Sequence, residues 1–234
     1  MAWIETWIGV EAFLQGIRNS LKSGEFAPVA VRQVLIPKPG TSKPRRLGIP
    51  TVADRVVQAS LKTVLEPIYE ADFEPCPYGF RPNRRAQDAI SEIRLLATNT
   101  YTWILEADIQ ACFDEIEHTP LLQRMRRRIK DKRVLALVRA FLKSGVMTTN
   151  CTQEETITGT PQGGILSPLL ANIALSGLDE HFEQQWREQM GNRSQQETRM
   201  RKGLGTGRLV RYADGCCGRQ PAAFAGVRPR LVWG

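Results

Sequence analysis

Apolar residues recur at helical spacing along much of the chain, and each such stretch predicts an amphipathic helix. The first covers about residues 8–22 and ends at Ser23-Gly24. The second covers Val52–Tyr69 and is expected to bury one apolar face, formed by Val56, Val57, Leu61, Val64 and Leu65. Further helices are predicted over about residues 85–97, 119–128, 131–144 and 167–187.

Between these helices lie short runs rich in β-branched residues, which predict strands. Residues 29–36 and 46–49 flank a Pro-Lys-Pro-Gly turn and predict a basic hairpin. Other strands are predicted over residues 101–107, 156–158 and 209–212. Residues 75–82 are expected to form an ordered loop, and the polar, glycine-rich residues 191–207 a flexible one. The pattern as a whole predicts an α+β chain.

Composition narrows the class of protein. With 234 residues and 42% apolar residues, the chain can form one large or two small globular domains. It has no run of the roughly 20 apolar residues that a membrane span needs, so no membrane partner is expected. The acidic Glu5 argues against an export signal, and five scattered cysteines without a paired motif argue for reduced thiols. A cytoplasmic location is therefore expected.

The net charge of +8 favours a polyanionic partner, most commonly nucleic acid. Two clusters carry much of the positive charge: Lys38, Lys43, Arg45 and Arg46 in the hairpin, and Arg124, Arg126, Arg127, Arg128, Lys130, Lys132 and Arg133 further on. Two clusters suit a groove that follows a phosphate backbone. Taken alone, the second cluster is more typical of a solvated helix face than of a binding site.

Two carboxylates stand where predicted strands end. Asp108 follows the strand at 101–107, and Asp214 follows the strand at 209–212. If both strand ends meet, these acids could bind Mg²⁺, which prefers oxygen ligands and takes one or two carboxylates together with phosphate oxygens. The alternative is that each Asp only caps a turn.

Several motifs occur in one order and together resemble the reverse transcriptases of group II introns, the maturase-type intron-encoded proteins. They are Pro37-Lys38-Pro39 with Arg45-Arg46-Leu47-Gly48-Ile49-Pro50, Gly79-Phe80-Arg81-Pro82, the segment from Glu106 to Asp114, Gly159-Thr160-Pro161-Gln162-Gly163-Gly164-Ile165-Leu166-Ser167-Pro168, and Tyr212-Ala213-Asp214. The resemblance runs from about residue 8 to residue 214, and the motif that begins at Gly159 is its most specific part.

The resemblance implies a right-hand polymerase fold of fingers and palm that copies RNA into DNA and helps intron RNA to splice. Its partners would be an RNA template or intron RNA, a DNA primer and deoxynucleoside triphosphates. Residues 1–98 would form an N-terminal extension and fingers, and residues 99–214 a palm with inserted fingers helices. Relatives outside introns, in retroelement-like or defence systems, share the palm motifs.

Carried onto this sequence, the resemblance makes Asp108 and Asp214 catalytic ligands of two Mg²⁺ ions, with the Ile109 carbonyl as a third oxygen. A second set would bind the incoming nucleotide: Lys38, Arg45, Ala111, Cys112, Phe113 and Gln162. Phe113 would exclude a 2′-hydroxyl, although on pattern alone it is equally a core aromatic. A third set would contact template and primer: Arg81, Pro161, Gly163 and Gly164. The alternative for the loop around Arg81 is a purely structural one.

The match fails at residue 215. The family pattern requires Asp there, followed by an apolar strand, whereas this chain has Gly215 and then Cys216-Cys217-Gly218. Residues 215–234 contain three Arg but no Lys, Asp or Glu. Pro221 and the run of small residues do not predict a central strand. We interpret this segment as an out-of-frame tail, so that the end of the palm and the thumb are lacking.

Three functional hypotheses follow from the sequence. The first is an RNA-directed DNA polymerase by descent whose catalysis is impaired by the loss of a metal-site carboxylate. The second is an RNA-binding splicing cofactor that no longer polymerises. The third is an inert product of a damaged gene.

Overall fold

The computed structural model describes residues 9–37, 40, 44–99, 103–148, 152–154, 156–202, 204 and 206–220. In chain order these residues form α1 (Val10–Ser23), β1 (Val31–Ile36), β2 (Arg45–Ile49), α2 (Val52–Glu70), α3 (Ala86–Asn99), β3 (Trp103–Asp108), α4 (His118–Arg128), α5 (Lys132–Lys143), β4 (Val146–Met147), β5 (Gln153–Glu154), α6 (Ser167–Gln189), α7 (Arg193–Arg201), β6 (Arg208–Tyr212) and β7 (Gly215–Gln220).

The chain divides into two compact units, and each is made of separate stretches of sequence. Unit 1 takes the residues up to Ala71 together with Ala111–Ala174, and unit 2 takes Asp72–Gln110 together with the residues from Leu175 onward. The boundaries at residues 98 and 214 that the motifs suggest therefore stay predictions.

Unit 1 contains a four-stranded sheet in the order β2-β1-β4-β5. The predicted basic hairpin is confirmed, since β1 and β2 pair antiparallel, while β1 and β4 pair parallel. Helix α1 ends as expected, because Gly24 adopts the left-handed conformation and its N–H bonds to the Ser20 carbonyl. Helix α2 begins at Thr51, whose hydroxyl accepts a bond from the Asp54 N–H.

The buried face of α2 differs from the predicted one. Val57 and Leu65 are buried, but Val64 is 64% exposed, and the polar side chains of Asp54 and Gln58 are buried instead. These polar groups are buried because they have hydrogen-bond partners: Asp54 accepts from the Thr51 hydroxyl, and Gln58 from a backbone N–H.

Unit 2 contains a three-stranded antiparallel sheet in the order β3-β7-β6, against which α3 packs. The expectation that residues after 214 cannot form a central strand is wrong, because β7 lies between the other two strands. A ladder needs only backbone N–H and C=O groups, which Gly and Cys supply as well as apolar residues do. Pro221, on which that expectation also rested, lies outside the described residues.

Two other expectations are also wrong. Residues 156–158 are irregular, and the nearby strand is β5. The expected loop at 191–207 contains α7. This helix begins with a reciprocal cap in which the Gln195 N–H donates to the Asn192 side chain and the Asn192 N–H donates to the Gln195 side chain. The Asn-x-x-Gln spacing is a sequence signal that could have predicted it.

Candidate active site

Asp108 and Asp214 lie on adjoining strand ends within unit 2. Strand β3 ends at Asp108, directly opposite Gly215, the first residue of β7. Asp214 occupies the two-residue turn between β6 and β7, and its carbonyl accepts a bond of 3.1 Å from the Ile109 N–H. The Asp108 side chain is exposed and that of Asp214 is half-buried. The strand ends that bear the two acids therefore meet, which is the condition for a shared metal site.

The hydrogen bond from the Ile109 N–H to the Asp214 carbonyl also determines the type of pair that Asp108 forms with Gly215. Because Ile109 bonds to Asp214, one residue beyond the pair on each strand, Asp108 and Gly215 form a non-hydrogen-bonded pair. Side chains at such a pair stand close together on the same face of the sheet. A carboxylate at position 215 would therefore stand beside Asp108, and glycine leaves that place without a side chain.

The carboxylates of Asp108 and Asp214 and the Ile109 carbonyl are of a chemical type that suits a magnesium ion. Two carboxylates and a backbone carbonyl are hard oxygen ligands, and Mg²⁺ in proteins takes one or two carboxylates. Among the residues that the structure describes, no group of three or more His, Cys, Asp or Glu side chains could hold a metal. The assignment of Asp108, Asp214 and the Ile109 carbonyl as metal ligands stays a prediction.

A buried ion pair supports the turn that carries Asp214. Arg211 is 0% exposed and Asp179, on α6, is 1% exposed. The guanidinium donates from Nε and Nη2 to the two carboxylate oxygens of Asp179, at 2.9 and 2.7 Å. Its Nη1 donates at 2.7 Å to the carbonyl of Ala213, the other turn residue. Arg211 thus ties the turn to the helix.

Asp179 stabilises the charged form of Arg211. Burial opposes the charge of Arg211, but hydrogen bonds and attraction to Asp179 outweigh it, so the pKa of the guanidinium is raised above its ordinary value. The neighbouring thiol of Cys76 is shifted too: burial and then the charge of Asp179 raise its pKa well above the usual range. Cys76 therefore stays protonated and unreactive at neutral pH.

A loop closes on the other side of β6. The Tyr78 N–H donates to the Arg211 carbonyl at 2.8 Å, and the Arg211 N–H donates to the Cys76 carbonyl at 3.0 Å. Gly79 then lies directly on the turn, because a Cβ added there would fall 2.2 Å from the Ala213 nitrogen. Glycine is needed at 79 for this close backbone contact.

We expect Gly79→Ala to lower the free energy of unfolding by about 1–3 kcal/mol or more, because the added methyl group overlaps backbone atoms that cannot move aside. Chemical denaturation of the variant and the parent measures the difference. Gly16→Ala is the matched control: a Cβ at Gly16 meets nothing within 4 Å, so this change should leave stability unaltered or raise it. Equal behaviour of the two variants would contradict the contact.

The side chain of Arg81 is used inside this loop. Arg81 is 7% exposed, and its guanidinium donates to the carbonyls of Glu74 and Pro77 at 2.7 and 3.1 Å. It also lies over the Phe73 ring, 5.3 Å from the centroid. These contacts agree with the structural alternative for the loop, and a role for Arg81 in template binding stays a prediction.

The residues expected to contact the nucleotide lie mostly in unit 1. Ala111 has a φ of 50°, and its carbonyl accepts from the Asp114 and Glu115 N–H groups at 2.8 and 3.0 Å, which makes a tight turn. Cys112 is buried and Phe113 is half-buried. The Thr160 N–H donates to the Phe113 carbonyl at 2.7 Å, so the turn is bonded to the segment at 159–160.

The glycine-rich loop at 161–164 is bonded firmly into unit 1. Its Gln162 carbonyl accepts from the Gly48 N–H at 2.7 Å, and the Gln58 side chain accepts from the Ile165 N–H at 2.8 Å. The Gln162 amide lies 3.5 Å from both carboxylate oxygens of Asp114, a long contact. Pro161 accepts a bond from the Ser167 hydroxyl at 2.8 Å. The loop is therefore a fixed part of the unit.

Packing within the protein already requires both glycines of this loop. A Cβ at Gly163, whose φ is 113°, would fall 2.7 Å from the Gly48 carbonyl oxygen, and a Cβ at Gly164 would fall 2.6 Å from the Ser167 hydroxyl. The close approach of nucleic acid that the sequence suggested is thus one reason for glycine, and internal packing is another.

Of the two hairpin cations, Arg45 begins β2 and is exposed, whereas Lys38 lies outside the described residues. The sequence did not point to Asp179, Arg211, Gln58 or Gly79 as supports of the site. Arg211 could have been noticed as a charged residue within an apolar strand, because buried charges require partners. Its partner Asp179 could not, since it lies 32 positions away.

The fold and the paired acids define a class of protein: an α+β polymerase with its acids at the ends of palm strands. The chain belongs to the reverse transcriptase (RNA-dependent DNA polymerase) family, whose sequence model matches residues 36–216. The matched region includes both acids and ends one residue after Gly215.

The relatives within this family include a protein encoded by a group II intron. The chain is 42% identical over 170 residues to the group II intron-encoded protein LtrA of Lactococcus lactis subsp. cremoris, which covers 73% of this chain and 28% of LtrA. It is 38% identical over 177 residues to protein YkfC of Escherichia coli, which covers 74% and 46% of the two chains. The chain thus spans about a quarter to a half of the length of these relatives.

Solved structures show the same fold at low sequence identity. Telomerase from Candida albicans, in complex with a fragment of telomeric RNA, superposes with a TM-score of 0.54 at 13% identity. The match covers 91% of this chain and 40% of that one. Separately, no helix among the described residues is both long enough and apolar enough to cross a membrane.

Proposed function

We propose that this chain is the fingers-and-palm part of an RNA-directed DNA polymerase of the group II intron kind, which extends a DNA primer on an RNA template. The observation that carries the proposal is the bonded juxtaposition of the Asp108 and Asp214 strand ends. Membership of the reverse transcriptase family and the similarity to LtrA support it. A role in intron splicing belongs to the same proposal.

In this proposal Asp108, Asp214 and the Ile109 carbonyl hold two Mg²⁺ ions. When bound, the ions would lower the charge on the attacking and leaving oxygens. Arg45 and Lys38 bind triphosphate oxygens, since a planar guanidinium and a flexible ammonium both suit phosphate. The backbone N–H groups of Ala111 and Cys112 contact the same phosphates, and Phe113 excludes a 2′-hydroxyl.

Template and primer contacts complete the proposed site. Gln162 lies against the new base pair, and Pro161, Gly163 and Gly164 shape the loop that presents it. Arg81 positions its own loop near the template strand. We retain residues 1–98 and 99–214 as the proposed fingers and palm.

We further propose that catalysis is impaired, because Gly215 supplies no side chain beside Asp108. Loss of one metal-site carboxylate is expected to raise the barrier by about 3 kcal/mol or more, or roughly a hundredfold in rate. The composition of residues 215–234 supports an out-of-frame origin of that segment. The nucleotide sequence downstream of codon 215 tests this origin, and it is excluded if no alternative frame continues the family pattern.

The test is primer extension by the purified chain on an RNA template with Mg²⁺, alongside an RNA-binding measurement. We expect the chain to bind RNA and to extend the primer at or near the background rate. Asp108→Asn should then cause no further loss of extension. Abundant DNA product from the parent chain would contradict the impairment. If the parent chain makes DNA product and the Asp108→Asn variant makes it as well, the assignment of the site is wrong.

A second function is favoured by the charge of the chain. A net charge of +8 suits an RNA-binding splicing cofactor that does not polymerise. Binding to intron RNA with a steep dependence on salt, together with splicing stimulation that Asp108→Asn leaves intact, would distinguish this function from polymerisation. A chain that neither folds nor binds RNA would instead be an inert product.

A further inference from the structure

A basic pocket lies between α4 and α5 in unit 1, apart from the residues assigned above to nucleotide and template. It has a volume of about 470 Å³. Its lining includes His118, Leu122, Arg126, Arg139, Lys143 and Thr158. We refer to it as the α4–α5 pocket. A volume of this size accommodates a group as large as a nucleotide.

The lining of the pocket includes three cationic side chains and one acidic side chain. Arg126 lies on α4, and Arg139 and Lys143 lie one turn apart on α5. Glu117 also lines the pocket, but it forms no ion pair with any of the three. Among the described residues, none of these cations has a carboxylate partner. The pocket therefore presents uncompensated positive charge.

A buried polar atom in the wall of the pocket also has no partner. His118 is 7% exposed, and its Nε2 lies 2.7 Å from the Gly159 carbonyl oxygen. Because a carbonyl can only accept, Nε2 carries the hydrogen of this bond. Its Nδ1 is buried and has no hydrogen-bond partner among the described residues. Buried polar atoms without a partner are rare. In this tautomer Nδ1 is a hydrogen-bond acceptor, so a hydroxyl or a water completes it and a phosphate oxygen does not.

The chemistry of the lining selects a phosphate oxyanion. Arginine presents a planar fork that matches phosphate oxygens, lysine adds a point charge, and the hydroxyl of Thr119 is a further donor. Leu122 and the 83% exposed Ile157 add an apolar surface against which a ribose or base can pack.

The charge continues beyond the pocket, which favours a strand over a free phosphate. Arg127 lies on α4, Lys130 lies between the two helices and Lys132 begins α5. Within the pocket, Arg139 and Lys143 are four residues apart and so about 6 Å apart along the helix axis. Two cations spaced in this way suit successive phosphates of one backbone.

We propose that the α4–α5 pocket binds a phosphodiester of an RNA strand through Arg126, Arg139 and Lys143. This inference rests on the proposed function, since it assigns a second RNA contact to a chain that acts on RNA. It assigns no role in nucleotide addition to these residues.

The test compares two double variants of equal charge by the binding of a labelled single-stranded RNA. Arg126→Gln with Lys143→Gln removes two pocket cations. Arg18→Gln with Lys22→Gln removes one Arg and one Lys from α1, neither of which lines the pocket. All four side chains are exposed, so both variants should fold.

For the pocket variant we expect several-fold weaker binding and a smaller slope of log affinity against log salt, by about 1.4 for two lost contacts at about 0.7 each. The control variant should keep a slope nearer that of the parent. The same RNA with a neutral methylphosphonate backbone should bind both variants alike. Equal loss in both variants would overturn the inference.

Two competing anions distinguish an RNA strand from the remaining candidate ligands of the pocket. If polyglutamate distinguishes the variants as strongly as RNA does, the pocket binds acidic polymers in general and the RNA assignment is wrong. If inorganic phosphate abolishes the difference between the variants at low concentration, the pocket binds free phosphate rather than a strand. Neither result depends on primer extension, so failure of polymerisation leaves this test readable.

Discussion

Replacing Gly215 by Asp is expected to convert the site from two carboxylates to three and to raise its affinity for divalent cations by about tenfold or more. Gly215 stands opposite Asp108 in the β3–β7 ladder. Among the described residues, a Cβ there meets only the Tyr212 carbonyl oxygen, at 3.4 Å, and the backbone at 215 is not in the left-handed region. The new side chain can therefore be accepted without rearrangement.

Gly215→Asp is expected to lower the free energy of unfolding without metal and to raise it with metal. Without metal, like charges placed opposite each other should lower the free energy of unfolding by up to about 1 kcal/mol. With Mg²⁺ at about a hundred times its Kd, binding to the folded state should add about 2.7 kcal/mol. Thermal unfolding in EDTA and in Mg²⁺ measures both effects, and primer extension should rise above that of the parent chain.

Gly215→Asn is the matched control, because it has nearly the same shape and no charge. It should respond to Mg²⁺ as the parent chain does. If Asp and Asn at 215 respond equally to Mg²⁺, the carboxylates do not converge on one ion, and the proposed metal site is wrong.

The second large effect is expected at the buried pair of Asp179 and Arg211. Asp179→Asn leaves the guanidinium buried without its counter-charge, and we expect a loss of about 3–5 kcal/mol in the free energy of unfolding. Chemical denaturation measures this loss. Because Arg211 also holds the Ala213 carbonyl, the variant should bind divalent cations more weakly as well.

Two further variants separate the charge from the position of the turn. Glu197→Gln removes one partner of the exposed ion pair with Arg193 and should change stability little. The double change Asp179→Leu with Arg211→Met removes both buried charges, so much of the lost stability should return. Metal binding should stay weak in this double variant, since the Ala213 carbonyl then lacks its bond from Arg211. If Asp179→Asn costs no more than Glu197→Gln, the pair does not support the site.

Local sequence determined most of the helices, the basic hairpin and the strand ends that bear Asp108 and Asp214. Periodicity and turn residues act over a few positions, so a single sequence carries these signals. The reciprocal cap at Asn192 and Gln195 was also a local signal, and attention to it would have predicted α7. The order of motifs indicated the family, which the family match confirmed.

Only the tertiary structure decided which polar groups are buried and which strand is central. Strand β7 forms because β3 and β6 supply partners on both sides, a condition that its own Gly and Cys residues do not encode. Likewise, Arg211 is a support of the Asp214 turn only because α6 brings Asp179 within 2.7 Å of it. Pairing between distant segments depends on the whole fold, and for this reason the sequence located the acids while the structure identified what holds them.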